Sequence, residues 1–238
     1  MFTFARKQPI AFEVIVTIVA FILAGILTAV CSVADVSPEL ASSIARIIVG
    51  IALIVIFRKT FLKGSPASGI TYALPALLSV GWNLVYNLSS GSQIDVDAMA
   101  KAALITALAP AIFEEVLFRG IFVSNLKASG KKAFPCVIIS AVFFSLLHAT
   151  NLVGQDAITV ALQVCYSLVI GLMFGAIYLK NGSLSQVMLA HFLLDYSNRI
   201  YFQPATSSSV PMIVAFIVLL AVEAVYSLWL TSTITEEN

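Results

Sequence analysis

Residues 10–30 read IAFEVIVTIVAFILAGILTAV, 21 positions with one ionisable side chain, Glu13. A helix needs about 20 predominantly apolar residues to cross the hydrocarbon layer, so this run is long enough to span a membrane. The small residues that follow, Ser32-Val33-Ala34, resemble a signal-peptide cleavage site. The run before them exceeds the roughly 7–15 residues of a signal-peptide core and is expected to stay as a spanning helix. Comparable runs recur along the chain: Ala41 to Phe57, Gly69 to Leu88, Ala98 to Ser124, Phe134 to Ala149, Ala157 to Tyr178, Leu184 to Phe202 and Val210 to Leu230. The fifth and seventh of the eight are short or polar at one end.

Composition agrees with this pattern. Of 238 residues 60% are hydrophobic and 11% charged, against roughly 25% charged in soluble domains, which leaves too little polar surface to cover a globular core. The expected fold is an all-α polytopic membrane protein with about eight transmembrane helices, surrounded by membrane lipids. A single membrane domain is expected over residues 1–238, with a motif-bearing core at about 98–202. A net charge of +1 with scattered basic residues argues against a nucleic-acid partner.

The charges between the runs set an orientation, because lysine and arginine mark cytoplasmic ends of spanning helices. Arg6 and Lys7 precede the first run, and Asp35 and Glu39 follow it. Arg58, Lys59 and Lys63 follow the second, and Asp95 and Asp97 the third. Lys127, Lys131 and Lys132 follow the fourth, Asp156 the fifth and Lys180 the sixth. Arg199 is an exception, a cation near an outer loop. The alternation predicts both termini in the cytoplasm, with the plasma membrane as the expected location. Cys31, Cys136 and Cys165 lack metal-finger spacing and read as free thiols. Gly171 and Gly175 form a GxxxG for close helix packing.

Ionisable groups within hydrocarbon cost about 2.5–3.5 kcal/mol each even on lenient scales, and here they cluster. The fourth run holds Glu114-Glu115-Val116-Leu117-Phe118-Arg119, the fifth Phe144-Ser145-Leu146-Leu147-His148, and the seventh His191-Phe192-Leu193-Leu194-Asp195. Glu115 and Arg119, four apart on one helix face, can pair and neutralise each other. Glu114 lies about 100° round the helix and is left as the free acid. His191 and Asp195 are also four apart, so the carboxylate could fix the imidazole tautomer or join it around a ligand. Pro110 should loosen the helix one turn before Glu114 and admit water. The isolated Glu13, Arg46 and Glu223 lie toward span ends, where they can snorkel or pair.

A carboxylate and two imidazoles meeting in a hydrated cavity make a hydrolytic site. Glu114, His148 and His191 would equally suit a divalent metal such as zinc, leaving a fourth position for water. Structural contacts between helices, or a proton path, are the plainer explanations of the same residues.

In order and spacing these motifs resemble those of the CPBP family of CAAX-protease and bacteriocin-processing (Abi) membrane peptidases: EExxxR as Glu114, Glu115 and Arg119, FxxxH as Phe144 and His148, and HxxxN/D as His191 and Asp195. The resemblance implies an intramembrane endopeptidase that cleaves a prenylated or precursor peptide in a cavity open to the cytoplasmic side. It implies that Glu114 and His148 activate water, that His191 and Asp195 hold the oxyanion or a metal, and that Glu115 and Arg119 give support. Asp195 replaces the asparagine of the prenyl endopeptidases, and an ionised aspartate cannot donate to an oxyanion. The alternative is a non-hydrolytic bacteriocin-immunity protein or proton-coupled transporter.

Overall fold

The computed structural model describes residues 3–34, 36–67, 69–97, 103–202 and 209–235. Asp35 and the first five residues of the fourth run, 98–102, lie outside the described residues. Each of the eight apolar runs contains a helix among the described residues. The short α1 (Thr3–Lys7) leads into α2 (Pro9–Ser32), followed by α3 (Pro38–Phe57) and α4 (Ala76–Ser89). Then α5 (Ala103–Glu115) continues through a π-helical segment, Val116–Val123, into α6 (Ser124–Ala128). Helix α7 (Ala133–Leu147) runs on as 3-10 turns over His148–Val153, and α8 (Ala157–Asn181), α9 (Leu184–Arg199) and α10 (Val210–Ser232) complete the bundle.

Local chemistry sets several of these boundaries. Pro9 and Pro38 open their helices where the missing N–H costs nothing. Asp156 caps α8 by accepting from the N–H groups of Ile158 and Thr159 at 3.1 and 3.0 Å. Gly182, at φ 68°, ends that helix in the left-handed conformation.

Among the described residues, five stretches are long and apolar enough to cross a membrane: Pro9–Ser32, Pro38–Phe57, Ala133–Val153, Ala157–Asn181 and Val210–Ser232. The chain is thus a polytopic, all-α membrane protein. The expected third and seventh spans are shorter than their sequence runs. The third begins with a 3-10 turn, Ile70–Ala73, before α4 starts after Pro75. The seventh stops at Arg199, and Tyr201–Phe202 instead pairs antiparallel with Gln93–Ile94, Ile94 opposite Tyr201.

Exposed apolar residues on α2 and α10, among them Ile15, Ile22, Ile217 and Val225, give these helices a lipid-facing surface. The motif-bearing segment lies at the centre, with every residue from Val116 to Val123 buried. Gly171 lets α8 sit against α7, because a Cβ there would come within 3.0 Å of Ala141 Cα. Glu13 and Glu223 do not snorkel: both are buried, Glu13 accepting from Thr17 and Glu223 from Ser79 at 2.7 Å.

Hydrogen bonds define two ends of the bundle. At one, the Leu62 N–H donates to Tyr178 Oη at 2.8 Å, Gln186 Nε2 to the Pro66 carbonyl at 2.6 Å and Lys180 Nζ to the Thr233 carbonyl at 2.7 Å. At the other, the Asp95 N–H donates to the Ile200 carbonyl at 2.8 Å, and Arg199 reaches Glu39 at 3.9 Å.

Candidate active site

The centre of the site is a fully buried ion pair. Arg119 and Glu115, one helical step of four apart, meet at 2.8 Å with both side chains inaccessible. Arg119 also donates to the Gly171 carbonyl at 3.2 Å, so the close approach of α8 supplies an acceptor as well as packing. Its guanidinium lies over the rings of Phe144 and Phe174, 4.5 and 5.5 Å from their centroids. The helix carrying the pair leaves α geometry immediately after Glu115, as a π-helical segment. Such segments gather at functional sites.

His191 completes this cluster from α9. Its Nδ1–H donates to Glu115 Oε1 at 2.8 Å, the oxygen that Arg119 also holds. Asp195, which could fix the imidazole tautomer or join the ring around a ligand, lies 3.9 Å from Nε2 and 3.6 Å from Arg199. Glu115 therefore orients the ring. A carboxylate from a neighbouring helix reaches Nδ1 directly, whereas Asp195 flanks the opposite nitrogen. Arg199 gives Asp195 a cationic partner.

His148 is oriented by its own helix. Its Nδ1 lies 3.0 Å from the Phe144 carbonyl, and a carbonyl only accepts, so Nδ1 carries a hydrogen, and in the neutral ring Nε2 has the lone pair. The Phe144 ring stands edge-on to both imidazoles, with centroids 5.1 Å from His148 and 6.1 Å from His191. This aromatic wedge separates the two histidines and rests on Arg119.

Glu114 lies apart from the buried pair, its Oε2 4.0 Å from His191 Nε2. That separation is too long for a direct hydrogen bond and of the size a bridging water closes. Glu114, His148, His191 and Asp195 all line one cavity of about 240 Å³, together with Pro110. The cavity therefore brings together the residues singled out in the three motifs, with Glu115, Arg119 and Phe144 behind its wall.

The trio Glu114, His148 and His191 does not form a metal cradle as it stands. Tetrahedral ligands at zinc distances lie about 3.3 Å from one another, less than the 4.0 Å between Glu114 and His191. No group of three His, Cys, Asp or Glu among the described residues could hold a metal ion.

The sequence did not point to the rest of the lining as part of the site. Arg46 on α3 faces the cavity, as do Gln163 on α8, Thr150 and Asn151 beyond His148, and Arg199. Arg46 was legible in principle, since it interrupts an apolar run as the glutamate pair does. Gln163 and Asn151, hydrogen-bonded to each other at 2.8 Å, carry no comparable signal.

No curated protein and no solved structure matches the chain at a significant level. Residues 97–197, the stretch that holds all three motifs, match the family model Rce1-like, described as type II CAAX prenyl endopeptidase, and this match is consistent with a CPBP family intramembrane peptidase, as the motifs implied.

Proposed function

We propose that the protein is an intramembrane endopeptidase in which Glu114 is the general base for attack of water on a peptide carbonyl. The observation that carries this reading is the 4.0 Å gap between Glu114 Oε2 and His191 Nε2 within a cavity that His148 also lines. One water can touch the carboxylate and an imidazole there.

Glu114 accepts a proton as the water oxygen bonds to the carbonyl carbon. The lone pair on His148 Nε2 accepts a further hydrogen bond and holds the water in line. His191, with Glu115 against Nδ1, is supported as an imidazolium and can donate from Nε2 to the oxyanion. When the carbon–nitrogen bond breaks, the proton held by Glu114 passes to the departing amine. Asp195 tunes His191 across 3.9 Å and anchors Arg199. Glu115 is a positioning residue, and so is Phe144, whose carbonyl sets the His148 tautomer.

A membrane-associated peptide is the substrate class that the family match supports. The charge alternation supports cytoplasmic termini.

The test compares the membrane peptidomes of cells expressing the wild-type chain and the Glu114→Gln variant, which keeps the side-chain shape and removes the base. Peptides cleaved by the wild type should accumulate uncut with the variant at unchanged protein level. Unchanged turnover of every peptide would remove the proposal.

A further inference from the structure

Four observations fix where the cavity opens. The first is the lining. Arg46 lies eight residues from the start of α3, Gln163 six residues from the start of α8, and Thr150 and Asn151 just beyond His148. All four occupy the half of the bundle that ends at Glu39, Asp95 and Asp156. No cavity-lining residue comes from the connections that carry Lys59, Lys63, Lys127, Lys131, Lys132 or Lys180.

The second is a gradient along α9. The side chains of His191, Asp195 and Arg199, each one turn further along, are 7, 25 and 40% exposed. Access widens toward the C-terminal end of that helix. Glu39, which meets Arg199 at 3.9 Å, is 71% exposed and stands outside the opening.

The third is what closes the opposite end. Buried Leu117, Ile121 and Phe122 lie beyond Glu114 on the way to Lys127, and the Leu62–Tyr178–Ser124 hydrogen bonds tie the helices together there. The fourth is charge. Most of the lysines and arginines between the helices, Lys59, Lys63, Lys127, Lys131, Lys132 and Lys180 among them, lie at the closed end, whereas Glu39, Asp95 and Asp156 lie at the open end, and lysine-rich connections stay in the cytoplasm.

We infer that the cavity is loaded from the non-cytoplasmic side, so that its partner is a peptide segment lying beyond the membrane. The opening implied by family resemblance is on the cytoplasmic side. Here the lysine-bearing end is sealed and the mouth lies at the carboxylate end. The mouth is polar, with Thr150, Asn151, Gln163 and two guanidinium groups around it. It suits a peptide backbone and its carboxylates better than a hydrocarbon chain.

The inference rests on the proposed peptidase reading for the word peptide, but its sidedness is tested without any cleavage. In the full chain, Cys31, Cys136 and Cys165 are replaced by alanine, and single cysteines are introduced as Thr150→Cys, Val153→Cys or Lys131→Cys. Intact cells are treated with a membrane-impermeant maleimide, before or after permeabilisation. Thr150→Cys and Val153→Cys should label to the same extent in both conditions, and Lys131→Cys only after permeabilisation.

The reverse pattern overturns the inference, as does failure of both mouth positions to label in permeabilised cells. Val153, 96% exposed, keeps the test decisive should Thr150→Cys fail to accumulate. Outer labelling combined with peptide turnover unaffected by Glu114→Gln would leave the sidedness standing and remove the peptidase.

Discussion

His191 and Arg119 converge on one oxygen atom: each reaches Glu115 Oε1 at 2.8 Å, the imidazole from α9 and the guanidinium from one turn along the same helical stretch. A single buried carboxylate thus neutralises a cation and orients an imidazole. It has no exposed surface. The second carboxylate oxygen and Arg119 Nε find no hydrogen-bond partner among the described residues, so the cluster is held by few contacts that each matter.

Replacing Glu115 should therefore harm the fold more than replacing its neighbour. Glu115→Gln leaves Arg119 as an uncompensated buried charge, and breaking a buried pair in this way costs about 3–5 kcal/mol. Glu114→Gln, at the cavity surface, should leave stability near wild type. Thermal unfolding of the two purified variants in detergent separates them. Equal melting temperatures would mean that Glu115 does not hold the cluster.

His191 performs two tasks through two nitrogens, and a substitution can keep one. His191→Asn retains a donor near Nδ1 for Glu115 but has nothing in place of Nε2. Its melting temperature should stay close to wild type while cleavage falls about 10²–10³-fold, the usual cost of an oxyanion donor. His191→Ala should lose both activity and stability. An active His191→Asn protein would show that Nε2 plays no part in the chemistry.

Packing between α7 and α8 reaches the site through Gly171, whose carbonyl accepts from Arg119. A methyl group there would meet Ala141 Cα at 3.0 Å, so Gly171→Ala must push the helices apart. The expected cost is about 1–3 kcal/mol, as for other overpacked interiors. Gly81→Ala, with nothing within 4 Å of the added group, is the control and should be neutral or stabilising. Matching melting temperatures for the two variants would rule out close packing as the role of Gly171.

What the sequence disclosed follows from the range of each interaction. Glu115–Arg119 was readable because four residues on a helix decide it. The His191–Asp195 spacing gave the same signal and a different outcome, because Glu115, 76 residues away in the chain, takes the imidazole nitrogen first. The apolar runs revealed helices at all eight places, but not that Tyr201 would leave α9 to pair with Ile94. The π-helical turn after Glu115 and the mouth of the cavity depend on how helices meet, and no spacing rule encodes either. Arg46 was visible as a charge in an apolar run, yet its neighbours in space were not.

Two arginines in the bundle should answer substitution in opposite ways. Arg119 is enclosed by Glu115, Gly171 and two aromatic rings, whereas Arg46 lines the cavity and makes no ion pair or hydrogen bond with another described residue. Removing the first strands Glu115, while removing the second relieves a cation held within the span at a cost of about 2.5–3.5 kcal/mol. Arg119→Met should therefore lower the melting temperature, and Arg46→Met should leave it unchanged or raise it. If the guanidinium of Arg46 meets a peptide carboxylate, Arg46→Met should also raise KM about tenfold or more with little change in kcat, and Arg46→Lys should recover part of the loss. A fall in kcat alone would place Arg46 in the chemistry rather than in binding, and a destabilised Arg46→Met protein would mean that the residue is a structural partner after all.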